Sequence, residues 1–261
     1  MSPDLIARPD SLLVADLYPS PNIEPRRPGH KPSILILHYT GLPTVERALD
    51  VLSRPDCKVS CHYVVDEAGR IIQMVAEEAR AWHAGVSSWA GETDVNSASI
   101  GIEIQNPGHM LGYPDFPPAQ MRAVAALARD IIRRHGIASE RVLAHSDVAP
   151  GRKIDPGEKF DWAWLAREGV GHWVAPAPID DEDTGVPLGC HEPKVGQARG
   201  LLAGYGYKVD PDGAFDLEMQ IVVRAFQLHF RQGRCDGALD RSTLDTLSRL
   251  APHCRKDGAI A

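Results

Sequence analysis

No run of apolar residues in this 261-residue chain approaches the roughly 18 uninterrupted positions of a membrane-crossing helix, so a transmembrane protein is not expected. The opening, MSPDLIARPDSLLVADLYPSPN, lacks a basic stretch followed by an apolar core, and no secretory leader is expected from it. On that ground the plain expectation is a cytosolic protein. Positive charge is also short: 28 Lys and Arg against 35 Asp and Glu leave a net charge of −7, which argues against nucleic acid or an anionic membrane as partner. Cysteines number only five, an odd count in a long chain, which is not the pattern of a disulfide-stapled secreted scaffold. What is present, 43% hydrophobic and 24% charged residues, is the balance of a globular protein long enough for one large domain or a medium one plus a small one.

Residues 1–31 are Pro-rich without a sustained period and read as an extended arm, with Leu12, Leu13, Val14 and Leu17 as pieces able to dock. SILILH (Ser33–His38) suits a buried central strand. Thr44 then caps a helix whose apolar positions Val45, Ala48, Leu49 and Leu52 follow a 3.6-residue period until Pro55. His62–Asp66 and Ile71–Val75 read as a hairpin around a Gly-containing turn. In SIGIEIQ (Ser99–Gln105) Ile100, Ile102 and Ile104 share one strand face, so Glu103 points to the other. Pro117–His135 carries one apolar stripe and ends at Gly136, a helix with its C-cap; Val142–His145 is a last short strand and Trp162–Arg167 a short helix. From residue 174 to 190 the composition turns acidic and Pro-rich, as in a linker. Beyond it Val195–Leu202, Leu217–Phe230 and Ser242–Leu250 predict a compact three-helix unit. These elements read as an α/β domain over 32–173, followed by the linker and an all-α domain over 191–261.

Chemistry-bearing residues gather at strand ends, where α/β scaffolds build sites: His38, Glu103, and the segment AHSDVAPGRKIDPG (Ala144–Gly157), whose prolines and glycines can fold Asp155 back beside His145. Two imidazoles and a carboxylate with an open fourth position suit a catalytic zinc ion. Spacing alone leaves a hydrogen-bonded strand terminus as the alternative. Cys57 and Cys61 are rejected as ligands, since C-x₃-C with no second pair is poor zinc spacing, and read as buried thiols or as one disulfide in an oxidising compartment.

Taken in order, LILHYT (Leu35–Thr40), VSCHYVVDEAGRI (Val59–Ile71), RAWHAGVSSW (Arg80–Trp89), NSASIGIEIQN (Asn96–Asn106) and AHSDVAPGRKIDPG resemble the motifs of the zinc-dependent N-acetylmuramoyl-L-alanine amidases, the AmpD-like family related to peptidoglycan recognition proteins and phage amidases. The resemblance spans about Ile34 to Trp164 and implies a mixed α/β fold, with a central, mainly β sheet flanked by helices. It implies His38, His145 and Asp155 as ligands of Zn²⁺, Glu103 as the acid/base carboxylate, and Lys153 as the cation that stabilises developing negative charge. Trp82 and His83 fall in a motif beside the substrate groove, where an aromatic face suits a sugar ring, although core packing fits them as well. His62 is open between a substrate or ligand-supporting role and plain packing, and Asn106 is a further candidate for substrate contact.

The segment Ala214–Leu250 resembles the three-helix peptidoglycan-binding module, with Val222, Val223, Phe226 and Phe230 as its core. Such a module is expected to act as a tether that raises local substrate concentration. The function implied is hydrolysis of the amide between the lactyl group of N-acetylmuramic acid and L-alanine of the stem peptide, with peptidoglycan or muropeptides as partner. Alternatives are a cytosolic recycling amidase restricted to 1,6-anhydromuramyl peptides, a non-catalytic peptidoglycan sensor, and a toxin delivered into competitors. Location stays open: the missing leader points to the cytosol, whereas a wall-binding module points to the periplasm or envelope.

Overall fold

The computed structural model describes residues 6–254; the first five residues of the expected arm and the last seven of the expected C-terminal domain lie outside the described residues. The strands in chain order are β1 (Asp16–Leu17), β2 (Ile23–Pro25), β3 (Ile34–Tyr39), β4 (Tyr63–Val65), β5 (Ile71–Gln73), β6 (Ala79–Ala81), β7 (Ser99–Ile104) and β8 (Val142–Ala144). The helices are α1 (Val45–Ser53), α2 (Val95–Ala98), α3 (Pro118–His135), α4 (His145–Val148), α5 (Trp162–Arg167), α6 (Pro193–Tyr205), α7 (Leu217–Phe230) and α8 (Arg241–Ser248). Six strands form one mixed sheet in the order β1-β5-β4-β7-β3-β8, parallel except for the β4–β5 hairpin, and β2 pairs with β6 in a separate ribbon.

Local chemistry accounts for the main elements. The Thr44 side chain accepts from Arg47 N–H and opens α1, which ends before Pro55; Gly136, at φ 65°, closes α3 in the left-handed conformation that glycine adopts without penalty. Alternation along the strands then sorts the layers. Leu35, Leu37 and the three isoleucines of β7 pack on Met121, Val124, Leu127, Ala128 and Ile131 of α3. On the opposite face Val64 and Ile72 meet Val45, Ala48, Leu49 and Leu52 of α1. Ile34, Ile36 and Leu143 of that same face meet Val195, Leu202, Met219, Val222, Val223, Phe226 and Phe230 of the helical unit.

That last contact joins the two units. The sheet and the C-terminal helices share one apolar core, reinforced where Trp89 packs on Gly206, at which any Cβ would lie 2.6 Å from the indole. Residues 174–190 hold no helix or strand, yet Ala177 and Val186 are buried in passing. The arm also differs from expectation in detail. Val14 docks on the α3 side, but Leu12 is fully exposed and Leu13 largely so. The arm is held instead by β1, by β2, and by Arg26, whose guanidinium donates to the carbonyls of Glu77, Asn96, Ser97 and Ser99. All five cysteines are free thiols, with Cys61 buried.

One buried charge ties α3 to the sheet. Glu77, 3% exposed, accepts from Tyr63 Oη at 2.6 Å, Arg134 Nη2 at 2.7 Å and His135 Nε2 at 2.6 Å. Burial alone would raise its pKa, but Arg134, His135 and Tyr63 overcome that and hold it at about 2 against an ordinary 4.5. A depressed carboxylate pKa stabilises the fold above the unfolded value and loses that contribution as pH falls toward the folded one, here worth about 3 kcal/mol. Thermal midpoints should therefore fall between pH 4.5 and 2. Glu77→Gln should be less stable at neutral pH and show a flatter acid limb; parallel curves for the two proteins would contradict the assignment.

Candidate metal centre and active site

Register brings the site together. In the parallel pair β3–β7, His38 lies directly opposite Glu103, and Leu37 lies opposite Ala144, so His145 begins α4 immediately beyond the adjacent strand end. His38 and Glu103 share the face on which α1 packs, and the cleft opens between the end of α1 and the Arg152–Asp155 loop. It measures about 460 Å³ and is lined by Tyr39, Leu52, Trp82, Glu103, Lys153 and Asp155 among others.

The Asp155 loop folds back as its composition predicts. Arg152 and Lys153 N–H groups both donate to Ala149 O, and Ser146 N–H donates to Asp155 O at 3.1 Å. As a result His38 Nδ1, His145 Nδ1 and Asp155 Oδ2 converge, at 2.8 Å between the nitrogens and 3.1 and 2.9 Å from each to the oxygen. Burial first, and then the neighbouring His145, keep the His38 imidazole neutral, with its pKa near 4.

The outer nitrogens explain why both imidazoles turn Nδ1 inward. Ser99 Oγ gives its single proton to Val95 O at 2.6 Å, so it can only accept from His83 Nε2 at 3.2 Å. His83 Nδ1 is then a lone pair and accepts from His38 Nε2 at 3.0 Å, leaving His38 Nδ1 unprotonated. His145 Nε2 lies nearer Ala84 O, an acceptor only, at 3.2 Å than Arg152 Nη2 at 3.4 Å; a proton on Nε2 toward Ala84 O leaves its Nδ1 a lone pair. Two lone pairs and a carboxylate oxygen facing one point repel one another unless a cation lies between them. This donor set fits a metal ion, and the outer hydrogen bonds are of the kind that orient histidine ligands.

Glu103 and Lys153 border the same cleft. Glu103 is half-buried, and its Oε2 has no partner among the described residues. Burial, with the Asp155 charge beside it, pushes the carboxyl well above its usual range, while Lys153 pulls the other way. Lys153 forms no salt bridge among the described residues, so its ammonium is available to a developing anion.

The other sequence candidates divide. Trp82 lines the cleft, and its indole Nε1 is buried with no partner among the described residues. His83 borders the cleft but spends both nitrogens on the relay to His38, and it fits only because residue 101 is glycine: a Cβ there would lie 2.6 Å from its ring. The expectation of substrate contact fails for His62, which is fully buried with Nδ1 accepting from Gly101 N–H and Nε2 bonded to Ala79 O. It fails for Asn106 too, whose side chain is 2% exposed and bonded to Pro114 O and Gly108 N–H. Sequence reasoning missed Arg152, which lines the cleft and ties it to the Ala84 and Val86 carbonyls.

Comparison with known proteins follows this geometry. The profile of a family described as N-acetylmuramoyl-L-alanine amidase matches residues 28–158, half of the chain, with every one of the converging residues inside it. The chain belongs to this amidase family. A peptidoglycan binding domain matches residues 191–247 of the amidase, which covers the helical unit. N-acetylmuramoyl-L-alanine amidase AmiD of Escherichia coli is 40% identical over 223 residues, 80% of this chain and 79% of the relative. The 1,6-anhydro-N-acetylmuramyl-L-alanine amidase AmpD of Salmonella typhimurium is 36% identical over 168 residues, 58% of this amidase and 88% of the relative. Among solved structures, AMPDH3 of Pseudomonas aeruginosa in complex with anhydromuramic pentapeptide superposes with a TM-score of 0.73 at 32% identity, covering 88% of this chain and 95% of the other. The amidase is thus a hydrolase of mixed α/β fold with an appended helical unit. No helix among the described residues is long and apolar enough to cross a membrane.

Proposed function

We propose that this amidase cleaves the bond between the lactyl group of N-acetylmuramic acid and L-alanine of the stem peptide, with Zn²⁺ held by His38 Nδ1, His145 Nδ1 and Asp155 Oδ2. The observation that carries this reading is the meeting, in one cleft, of a converging donor set, an unpartnered carboxylate with a raised pKa, and an unpaired lysine. Zinc bound there supplies Lewis-acid polarisation of the amide carbonyl and a lowered pKa for water. Glu103 accepts the proton of the attacking water and returns it to the departing L-alanine nitrogen, a task for which a carboxyl pKa nearer neutrality is suited. Lys153 holds the charge that develops on the carbonyl oxygen. Trp82 offers the sugar an apolar face. Residues 32–173 form the catalytic unit in this reading, and residues 191–261 dock on wall glycan.

A non-catalytic sensor is disfavoured because the full donor set and both Glu103 and Lys153 are in place. Restriction to anhydromuramyl ends is disfavoured by the helical unit, since a small soluble fragment gains nothing from wall docking; the AmpD relative spans only 58% of this chain. Mass spectrometry after incubation of zinc-loaded protein with intact peptidoglycan and, in parallel, with anhydromuramyl tripeptide tests the proposal. Free stem peptide from both, lost with EDTA, is expected. Release from the anhydro substrate alone would establish the recycling reading, and release from neither would overturn the catalytic one.

A further inference from the structure

Asp147 stands two residues beyond His145 and is wholly buried. Its carboxylate is held from three sides: Oδ2 accepts from Ala144 N–H at 2.8 Å and from His229 Nδ1 at 2.7 Å, and Oδ1 accepts from Tyr207 Oη at 2.6 Å. The first bond is local and satisfies an orphan donor at the start of α4. The other two come from the helical unit, from the residue pair after α6 and from the last turn of α7. Both donors are themselves fixed: the Trp162 indole stacks on His229 at 3.8 Å between centroids, and Tyr207 meets the Trp89 edge at 4.9 Å.

We infer that Tyr207 and His229 are positioning residues for the metal centre, acting through Asp147 on the α4 turn. A helix of four residues has too few internal hydrogen bonds to hold itself, so its orientation is set by what grips it. This one turn governs two of the three donors. It starts with His145, and its Ser146 N–H bonds the Asp155 backbone carbonyl. Outside the donor set itself, where it meets His38 Nδ1 and Asp155 Oδ2, the His145 ring is steadied among the described residues by longer contacts, Ala84 O at 3.2 Å and Arg152 Nη2 at 3.4 Å. The appended unit therefore forms part of the scaffold of the metal site, in addition to any docking role. The inference rests on the assignment of His38, His145 and Asp155 as ligands.

The test uses the full chain and reads zinc affinity by chelator competition, together with the visible absorption of the cobalt-substituted protein, which reports coordination geometry. Tyr207→Phe removes one hydroxyl and keeps the ring, and should weaken zinc binding by roughly 3- to 10-fold; with His229→Leu added, the loss should reach about 10- to 100-fold with an altered cobalt spectrum, the scale of outer-shell effects. His229→Asn, which keeps a donor near the Nδ1 position, should retain more affinity than His229→Leu. Leu247→Ala, a cavity in α8 that removes none of the Asp147 hydrogen bonds, should lower the thermal midpoint without changing zinc affinity. Wild-type affinity and cobalt spectrum in the Tyr207→Phe protein and the double variant would overturn the inference, as would an equal loss in Leu247→Ala. If the double variant does not fold, Tyr207→Phe alone decides. Wild type that takes up neither metal would refute the ligand assignment itself, and this inference with it.

Discussion

Asp155→Ala should abolish hydrolysis while leaving a folded chain that still binds wall material. The carboxylate contributes no apolar packing; its Oδ2 serves His38 and His145 and nothing else in the described structure. Without it, two imidazole nitrogens 2.8 Å apart remain as an incomplete donor pair. The remaining side chains of the cleft then act on a substrate whose carbonyl is not activated. A fall on the order of 10⁴ in kcat/KM is expected, the scale seen when one member of a cooperating catalytic unit is removed. Bound zinc, measured by atomic absorption, should drop in parallel. A variant that keeps its zinc and cleaves within tenfold of wild type would remove Asp155 from the centre.

Glu103→Gln separates proton transfer from metal binding. Glutamine preserves the shape of the side chain on β7 but cannot take a proton from water, so kcat should fall by about 10²–10⁴-fold with zinc content unchanged. The pH profile gives the sharper reading. Because burial and Asp155 raise the Glu103 pKa, its basic form accumulates only as pH rises through that elevated value, and wild-type activity should climb along an acidic limb placed above the ordinary carboxylate range. The variant should lack that limb. An unchanged limb in Glu103→Gln would assign it to another group and leave Glu103 as a wall of the cleft.

The parts that pattern alone could reach were those dictated by local alternation. The runs SILILH and SIGIEIQ announce strands through their β-branched residues, and the parity of Glu103 against three isoleucines already sets the face on which it stands. Pro and Gly around Asp155 announce a returning loop. What pattern could not reach was decided by distant partners. β6 is three residues long, with an arginine at its centre, and exists because β2 pairs with it. His62 and His83 look alike in sequence, yet one lies beneath the sheet surface bonded to backbone while the other crosses Gly101 to reach His38. Asp147 reads as an ordinary loop acid, since its partners lie 60 and 82 residues further along.

The continuous core between sheet and helices bears on how this enzyme can travel over its substrate. A catalytic unit on a slack leash searches a sphere around its anchor and can cut many neighbouring stems during one residence. Here Trp89 against Gly206 and the shared apolar layer keep the helical unit and the cleft at one separation. With that unit docked on glycan as proposed, cuts are expected at a set offset from the point of attachment, and the body as a whole would have to let go and land again before the next. The expected behaviour is that of a ruler, distributive along the strand, and the spacing of trimmed stems in a partly digested wall is the measurement that checks it.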